Sequence, residues 1–147
     1  MSGGNSGAVY EISAGEGRFR LSLAATWAGN DLVVTITGGD APHIGSVAVA
    51  VPRPSLRDPS VTSATASVIT LVGHKDDELA KPIAEFMAAR LKVAVVAVVG
   101  IHVDGATPDD VECLRDIAWE LARSCVAGAV RQGSGHVRGG ALRGDSE

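Results

Sequence analysis

Residues 68–104 constrain the fold more than any other part of the chain. They read as an apolar strand, a turn at Gly73-His74, an amphipathic helix and a second apolar strand. Because two strands joined by one helix form a right-handed crossover, we expect these strands to be parallel neighbours in one sheet. Their carboxyl ends then lie at the same end of the sheet, which we call the carboxyl end. Each strand end there carries a Gly, a His and an Asp, so we predict a functional site at this place.

The remaining strands follow from hydrophobic patterning. Alternating apolar and polar residues predict half-buried strands, whereas the run 93–99 is continuously apolar, as expected for a strand with both faces covered. Turn-forming residues separate the segments. The predicted strands are residues 9–13, 18–26, 32–37, 46–51, 65–72 and 93–99.

Two helices complete the fold. The first is predicted to begin near Lys75, with acidic residues in its opening turn, where the helix dipole favours them. The second opens with Thr107 as N-cap and Pro108 at the first helical position, and should end near Gly128. We therefore predict an α+β fold: a mostly antiparallel sheet of about five to six strands with two helices packed on one face.

Composition supports one globular domain. The chain has 147 residues, of which 46% are hydrophobic and 20% charged, enough for a single core. We expect a disordered N-terminus over residues 1–7, one domain over 8–130 and a flexible, Gly/Arg/Ser-rich tail over 131–147. The formal net charge of −4 argues against a general binder of nucleic acid or anionic membranes. The sequence shows no signal peptide and no membrane-spanning apolar run, so we expect a cytoplasmic protein.

The two cysteines are not predicted to be reactive. Cys113 and Cys125 fall on one predicted helix, too far apart to form a disulfide there. We place both on the buried stripe of that helix, as reduced core thiols.

The topology brings further residues to the carboxyl end of the sheet. If strands 46–51 and 65–72 are antiparallel, His43 comes beside His74, and His102 arrives at the end of strand 93–99. Strand 32–37 also ends there and delivers its own glycine loop. Asp76 is predicted to lie at the same place. The residues predicted to bind a ligand there are Gly38, Gly39, Asp40, His43, Gly45, Gly73, His74, Lys75, His102 and Asp104.

Two kinds of binding fit this set of residues. His43, His74 and His102 could hold a divalent metal with an open coordination position, although their spacing matches no local metal motif. Alternatively, the glycines and the two helix amino ends could bind an anion such as a phosphate, with Lys75 nearby. No Walker or GxGxxG motif is present. A lone histidine at a strand end is more often structural, and a lone glycine often only makes a turn, so both alternatives depend on the convergence.

Three segments at these same positions resemble one known family. They read GGDAPHIGSVAVAVPRPS, GHKDDELA and GIHVDGAT. Together they are similar to the small prenylated-flavin chaperone domain typified by the D subunit of gallate decarboxylase. The resemblance covers about residues 19–122.

The resemblance implies a function. Members of that family accompany UbiD-type non-oxidative decarboxylases of (hydroxy)aromatic acids, whose catalytic subunit works with prenylated FMN. The implied role is to bind this flavin and assist its maturation or delivery, not to carry out the decarboxylation. The binding residues it implies are Gly39, Asp40 and His43 with Gly45, then His74 and Lys75, then His102 and Asp104.

Two further expectations complete the sequence analysis. An uncovered edge strand makes a homodimer plausible, because such edges pair with other chains. The alternative to a cofactor chaperone is a small metal-dependent enzyme that uses His43, His74 and His102 as ligands. Trp27 and Trp119 are the only indoles that could stack on an isoalloxazine ring.

Overall fold

A computed structural model describes residues 10–71 and 76–136, apart from the side chains of residues 77 and 132–136. Within these residues the chain forms a six-stranded sheet, a short 3-10 helix and two α-helices. The strands are β1 Tyr10–Ala14, β2 Leu21–Ala28, β3 Asp31–Gly39, β4 Ser46–Pro54, β5 Thr62–Thr70 and β6 Val95–His102. The 3-10 helix is Gly17–Phe19, and the α-helices are α1 Asp77–Leu91 and α2 Pro108–His136.

The sheet has the strand order β1-β2-β3-β6-β4-β5. β3 and β6 run parallel, and the other adjacent strands run antiparallel. The predicted α+β class, with a mostly antiparallel sheet and two helices, is confirmed.

The prediction that the two crossover strands are neighbours is wrong. β5 and β6 both pair antiparallel with β4, so they run parallel to each other with β4 between them. The sequences of the two strands explain this placement. β5 is rich in Thr and Ser and is largely exposed, which suits an edge, whereas β6 is apolar along its length and lies inside the sheet.

The helices cover one face of the sheet. In each inner strand every second side chain is buried, and the buried set includes Leu23, Val34, Ala48 and Val99. α1 packs on β4, β5 and β6, and α2 packs on β1 and β2. The side chains of the intervening positions point to the opposite, uncovered face. Neither described helix combines the length and the apolarity that crossing a membrane requires.

The second helix is longer than the sequence predicted. It does not end near Gly128 but continues to His136, into the segment predicted to be a tail. At Gly128 a Cβ atom would come within 3.3 Å of the Tyr10 hydroxyl. Glycine therefore lets β1 approach the helix closely here, and it does not terminate the helix. Residues 1–9 and 137–147 lie outside the described residues, and the predicted domain limits stay predictions.

Candidate functional site

The topology brings most of the predicted site residues together. The register of β3 and β6 places Gly39 beside His102, and the start of β4 lies beside the end of β6. The backbone of Asp40 donates a hydrogen bond to the His102 carbonyl at 2.7 Å. Gly73, His74 and Lys75, which were predicted at the same place, lie outside the described residues.

The glycines at this end of the sheet are used for contacts within the chain. A Cβ atom on Gly100 would collide with the His43 carbonyl, and one on Gly45 would collide with the Asp76 carboxylate. Gly39 has φ +82 and lies against the His102 carbonyl. The amides of Gly39 and Gly45 donate to the carbonyls of Arg20 and Val99. These glycines thus hold the loops in close contact, and a direct bond from them to a cofactor stays a prediction.

Asp40 connects three segments by hydrogen bonds: its own loop after β3, the segment of Arg18 and the loop after β6. Its carboxylate accepts hydrogen bonds from the Arg18 guanidinium at 2.6 Å and from the Asp104 amide at 2.8 Å. Arg18 also donates to the Asp104 carbonyl at 2.6 Å. The Arg18 guanidinium and the Asp104 amide both lower the pKa of Asp40 below its ordinary value. Asp40 therefore fixes the loop after β6, and Arg18 is a site residue that the sequence analysis missed.

Asp76 connects the start of α1 to both neighbouring loops. It occupies the N-cap position, but its side chain makes no capping hydrogen bond to the helix. Instead, one carboxylate oxygen accepts from the Ile101 amide at 3.3 Å, and the other lies 3.3 Å from His43 Nε2. The Asp76 side chain is only 10% exposed. This buried carboxylate was not among the predicted binding residues, although its helix-start position was recognised.

Both ring nitrogens of His43 face oxygen acceptors. Nδ1 lies 2.9 Å from the Ala41 carbonyl, which can only accept, and Nε2 lies near the Asp76 carboxylate. These two contacts hold the imidazole between the loop backbone and the start of α1, which gives His43 a positioning role in the loop.

His102 differs from His43 in its exposure. Its side chain is 52% exposed, and of its two ring nitrogens, Nδ1 and Nε2, it is Nε2 that lies 2.8 Å from an oxygen of the Asp104 carboxylate. Asp104 thus orients an imidazole that remains accessible to a ligand, which is the arrangement expected of a hydrogen-bonding group in a binding site.

A groove opens beside His102 on the helix side of the sheet. Its volume is about 270 Å³. Most of its wall is apolar, and its polar groups come from the starts of the two helices and the end of β6. The lining residues are Asp76, Glu78, Leu79, Ile101, His102, Val103, Ala106, Val111, Leu114 and Arg115. An apolar concavity with a few convergent polar groups is the usual form of a small-molecule site.

The helix residues of this groove were missed by the sequence analysis. Leu79, Val111 and Leu114 recur at a helical spacing that is typical of a buried stripe, yet Val111 is 48% exposed. Arg115 at the rim pairs with Glu78 of α1 at 3.0 Å. The signal that could have found them is their position: all lie within the first turns of helices that begin at the carboxyl end of the sheet.

The amino end of α2 is already occupied by the chain itself. Thr107 Oγ1 accepts from the Asp110 amide, and the Asp110 carboxylate accepts from the Thr107 amide. This reciprocal capping box, together with Asp109 in the same turn, places negative charge at the helix start. A phosphate at this helix end would be repelled. Asp76 and Glu78 place negative charge at the start of α1 as well, so neither helix end by itself favours an anion.

Neither indole lines the groove. Trp119 packs edge-on against Phe86, with ring centroids 5.6 Å apart, between the two helices. Trp27 lies with Tyr10 and Cys125 at a small cavity elsewhere. A flavin in the groove would therefore contact aliphatic side chains rather than stack on tryptophan.

The metal alternative has no support from the described residues. Within residues 10–71 and 76–136, no group of three or more His, Cys, Asp and Glu side chains is arranged to hold a metal ion. His43 and His102 are each engaged by a different aspartate. His74, the third predicted ligand, lies outside the described residues.

Comparison with known families identifies the class of protein. The family model described as the prenylated flavin chaperone LpdD-like domain matches residues 15–129. The match includes β2 to β6 and most of α2, and with them every described residue of the site. The chain therefore belongs to the prenylated flavin chaperone family, as the sequence resemblance indicated.

The fold is shared with a chaperone from a different context. A chain in the crystal structure of a novel chaperone complex for yeast 20S proteasome assembly superposes with a TM-score of 0.51 and 16% sequence identity. The likeness covers 84% of this chain and 96% of that chain. At this identity it supports the fold alone. No curated protein matches the sequence significantly.

Proposed function

We propose that the chain is a small accessory protein that binds prenylated FMN in the groove between α1, β6 and α2. It would assist the maturation of this cofactor or its delivery to a UbiD-type (hydroxy)aromatic acid decarboxylase. The observation that carries the proposal is the groove itself. Most of its lining comes from two of the three segments that resemble the family, those around the start of α1 and the end of β6, and the rest comes from α2.

The groove suits the ring system of a prenylated flavin. Leu79, Ile101 and Val103 offer aliphatic contact to flat, largely apolar rings, and His102 offers a hydrogen bond at the mouth. The cavity volume is close to the lower limit of about 300 Å³ for small-molecule sites, and the groove is open on one side. Such a site binds one edge of the rings and leaves the rest accessible. That suits a carrier, which must release its ligand.

The phosphate needs a positive group at the rim. Arg115 is the described cation there, and its ion pair with Glu78 is exposed, so exchanging that partner for a phosphate would cost little. We assign a further part in phosphate binding to His74 and Lys75, which come shortly before α1 in the sequence. The prenylated flavin supplies the chemistry of the partner enzyme. The residues of this chain bind it, orient it and shield one face from water.

The proposal extends to location and assembly. We place the protein in the cytoplasm, with the decarboxylase catalytic subunit as its partner. The groove lies on the helix side of the sheet, so the predicted homodimer is compatible with flavin binding as long as the two copies meet elsewhere.

Retention of the flavin tests the proposal. The chain is co-expressed with an FMN prenyltransferase, purified without oxygen, and examined by absorbance and mass spectrometry. We expect bound prenylated FMN in the wild type, less of it in His102→Ala and Arg115→Ala, and no change in Arg123→Ala, an exposed arginine farther along α2. Protein free of flavin under these conditions would refute the proposal.

Delivery needs a separate measurement. The flavin-loaded chain is mixed with cofactor-free decarboxylase, and the activity that appears is compared with that produced by free prenylated FMN at the same concentration. Faster or more complete activation by the loaded chain is expected. Equal activation by the free cofactor would remove the delivery role while leaving binding intact.

A further inference from the structure

The face of the sheet opposite the helices is unusually apolar. The outward positions of β6 and β4 are mostly valines, and β3 adds Val33 beside Thr35 and Thr37, where an uncovered antiparallel sheet normally carries polar residues throughout. Several are well exposed, with Val33 at 38%, Val49 at 43% and Val51 at 55%. Ile69 on β5 is 72% exposed. We call this surface the open face.

The strand register shows that these side chains form one continuous patch. One row across the sheet runs from Thr35 through Val98 and Val47 to Ile69. The next row contains Val33, Val96 and Val49 as direct neighbours. Side chains opposite each other on adjacent strands lie about 5 Å apart, so the patch has no polar gap at its centre.

The sequence of β6 indicates that this face is buried in the functional assembly. A strand that is apolar at every position is typical of a sheet with both faces buried. Among the described residues the helices cover only one face, and none of the described elements covers Val96 and Val98 from the other side. Apolar patches of more than a few hundred Å² usually mark an interaction surface.

The charges on the open face favour a copy of the same chain as the covering layer. Its outward charged side chains lie at the periphery: Glu11 on edge strand β1, Asp31 at the start of β3, and Arg53 near the end of β4. Glu11 ends one of the two rows at the sheet edge, but within β3, β6 and β4 these rows carry no charge. A twofold dimer places a surface against itself, and a neutral centre meets its own copy without like-charge repulsion.

The area also matches what a stable dimer requires. Six strands spaced about 4.8 Å apart, each about eight residues long, give a face of roughly 29 Å by 26 Å, or about 750 Å². A standard protein interface buries about 800 Å² on each partner. The segments outside the described residues are rich in Gly, Arg and Ser and poor in apolar side chains, so they are a weaker match to this surface.

We infer that two copies of the chain pack their open faces together as a two-layer β-sandwich. The sheets lie about 10 Å apart with their strands within about 30° of alignment, the usual geometry of stacked sheets. This interface differs from the pairing of edge strands predicted from the sequence. It leaves both grooves on the outer, helix-covered sides of the dimer.

The mass of the full-length protein in solution tests the inference without any flavin. We expect the mass of two 15.0-kDa chains by analytical ultracentrifugation at micromolar concentration. Val49→Lys should weaken the dimer about 30-fold or more, because a twofold interface contains the substitution twice. The matched control is Leu56→Lys, which adds the same charge at an 89% exposed residue in the loop after β4 and should remain dimeric.

A second variant covers the case in which Val49→Lys fails to fold, as judged by circular dichroism and cooperative thermal unfolding. Ile69→Lys alters a side chain that is 72% exposed in the single chain, so it should keep the monomer fold and still dissociate the dimer. A monomeric wild type, a dimer in folded Val49→Lys or in Ile69→Lys, or a monomer in Leu56→Lys would each overturn the inference. Because no measurement here uses flavin, the result is independent of the proposed cofactor role.

Discussion

His43 Nε2 lies 3.3 Å from a carboxylate oxygen of Asp76, and both side chains are largely buried. His43 belongs to the loop before β4, and Asp76 stands at the start of α1. The same carboxylate accepts from the Ile101 amide at the end of β6. This contact therefore joins the loop before β4, the start of α1 and the end of β6, and it sets the position of α1 relative to β6, the two elements that form one side of the groove.

Removing one member of this pair should destabilise the fold. His43→Ala removes the imidazole that lies against a carboxylate only 10% exposed, and we expect a loss of about 1–3 kcal/mol in the free energy of unfolding. Urea denaturation at pH 7 measures it. His102→Ala is the control, since its ring is 52% exposed and the change should stay within about 0.5 kcal/mol. A double-mutant cycle with Asp76→Asn should give a coupling above about 0.5 kcal/mol, and additive effects would contradict this contact.

Gly100→Ala should disturb the loop that carries His43. The added Cβ would overlap the His43 carbonyl, a backbone atom that cannot rotate away, and we expect a loss of about 1–3 kcal/mol in the free energy of unfolding. Denaturation by urea tests this. Gly29→Ala, in the β2–β3 turn with open space around it, is a control that alters only backbone preference there. Hydrogen exchange should increase near residues 43–46 in Gly100→Ala alone, and unchanged exchange there would contradict the prediction.

Asp40 should make the stability depend on acid pH. Its pKa is lower in the folded protein than its ordinary value of 3.8, because Arg18 and the Asp104 amide stabilise the ionised form. Its contribution is therefore complete above about pH 4 and is lost as the pH falls through the lower, folded pKa. Asp40→Asn should lower the melting temperature at pH 7 and have a much smaller effect near pH 2. Asp116→Asn, an exposed site on α2, is the control, and an equal loss for Asp40→Asn at both pH values would contradict the assignment.

The cysteines should differ in reactivity, contrary to the expectation from sequence. Cys113 is exposed, whereas Cys125 is buried and its pKa is raised to about 11 by that burial. At pH 8 about one Cys125 thiol in a thousand is ionised, so alkylation should modify Cys113 quickly and Cys125 only after denaturation. Intact mass measured over time distinguishes one adduct from two. Rapid double labelling of folded protein would contradict the burial of Cys125.

The strand ends at the site could be predicted because their chemistry is local. Gly38, Gly39 and Asp40 follow one apolar run and His102 follows another, and parallel strands bring such ends together. The residue types alone indicated both runs. The neighbour of β6 was not predictable from those types, since β4 pairs with both β5 and β6 and only the whole sheet decides the order.

Other features depended on packing at a distance. Arg18 reaches Asp40 and Asp104 from a segment near the start of the chain, and no short motif links these positions. In the sequence Gly128 is typical of a helix end, whereas in the structure it leaves room for Tyr10 to pack against the helix. Cys113 precedes Leu114 by one residue, which rotates it about 100° away from the buried stripe. In each case a tertiary contact or a small rotation decides what the local pattern leaves open.

Flavin binding by a variant with a blocked groove tests the central claim most directly. Ala106→Trp places a large side chain at an exposed position on the groove wall, whereas Ala127→Trp makes the same change at an exposed position of α2 away from the groove. The measurement is an anaerobic titration with reduced prenylated FMN, followed by absorbance. We expect Ala106→Trp to bind at least about tenfold more weakly than the wild type, and Ala127→Trp to bind equally well. Equal binding by all three proteins would place the flavin elsewhere and contradict the account.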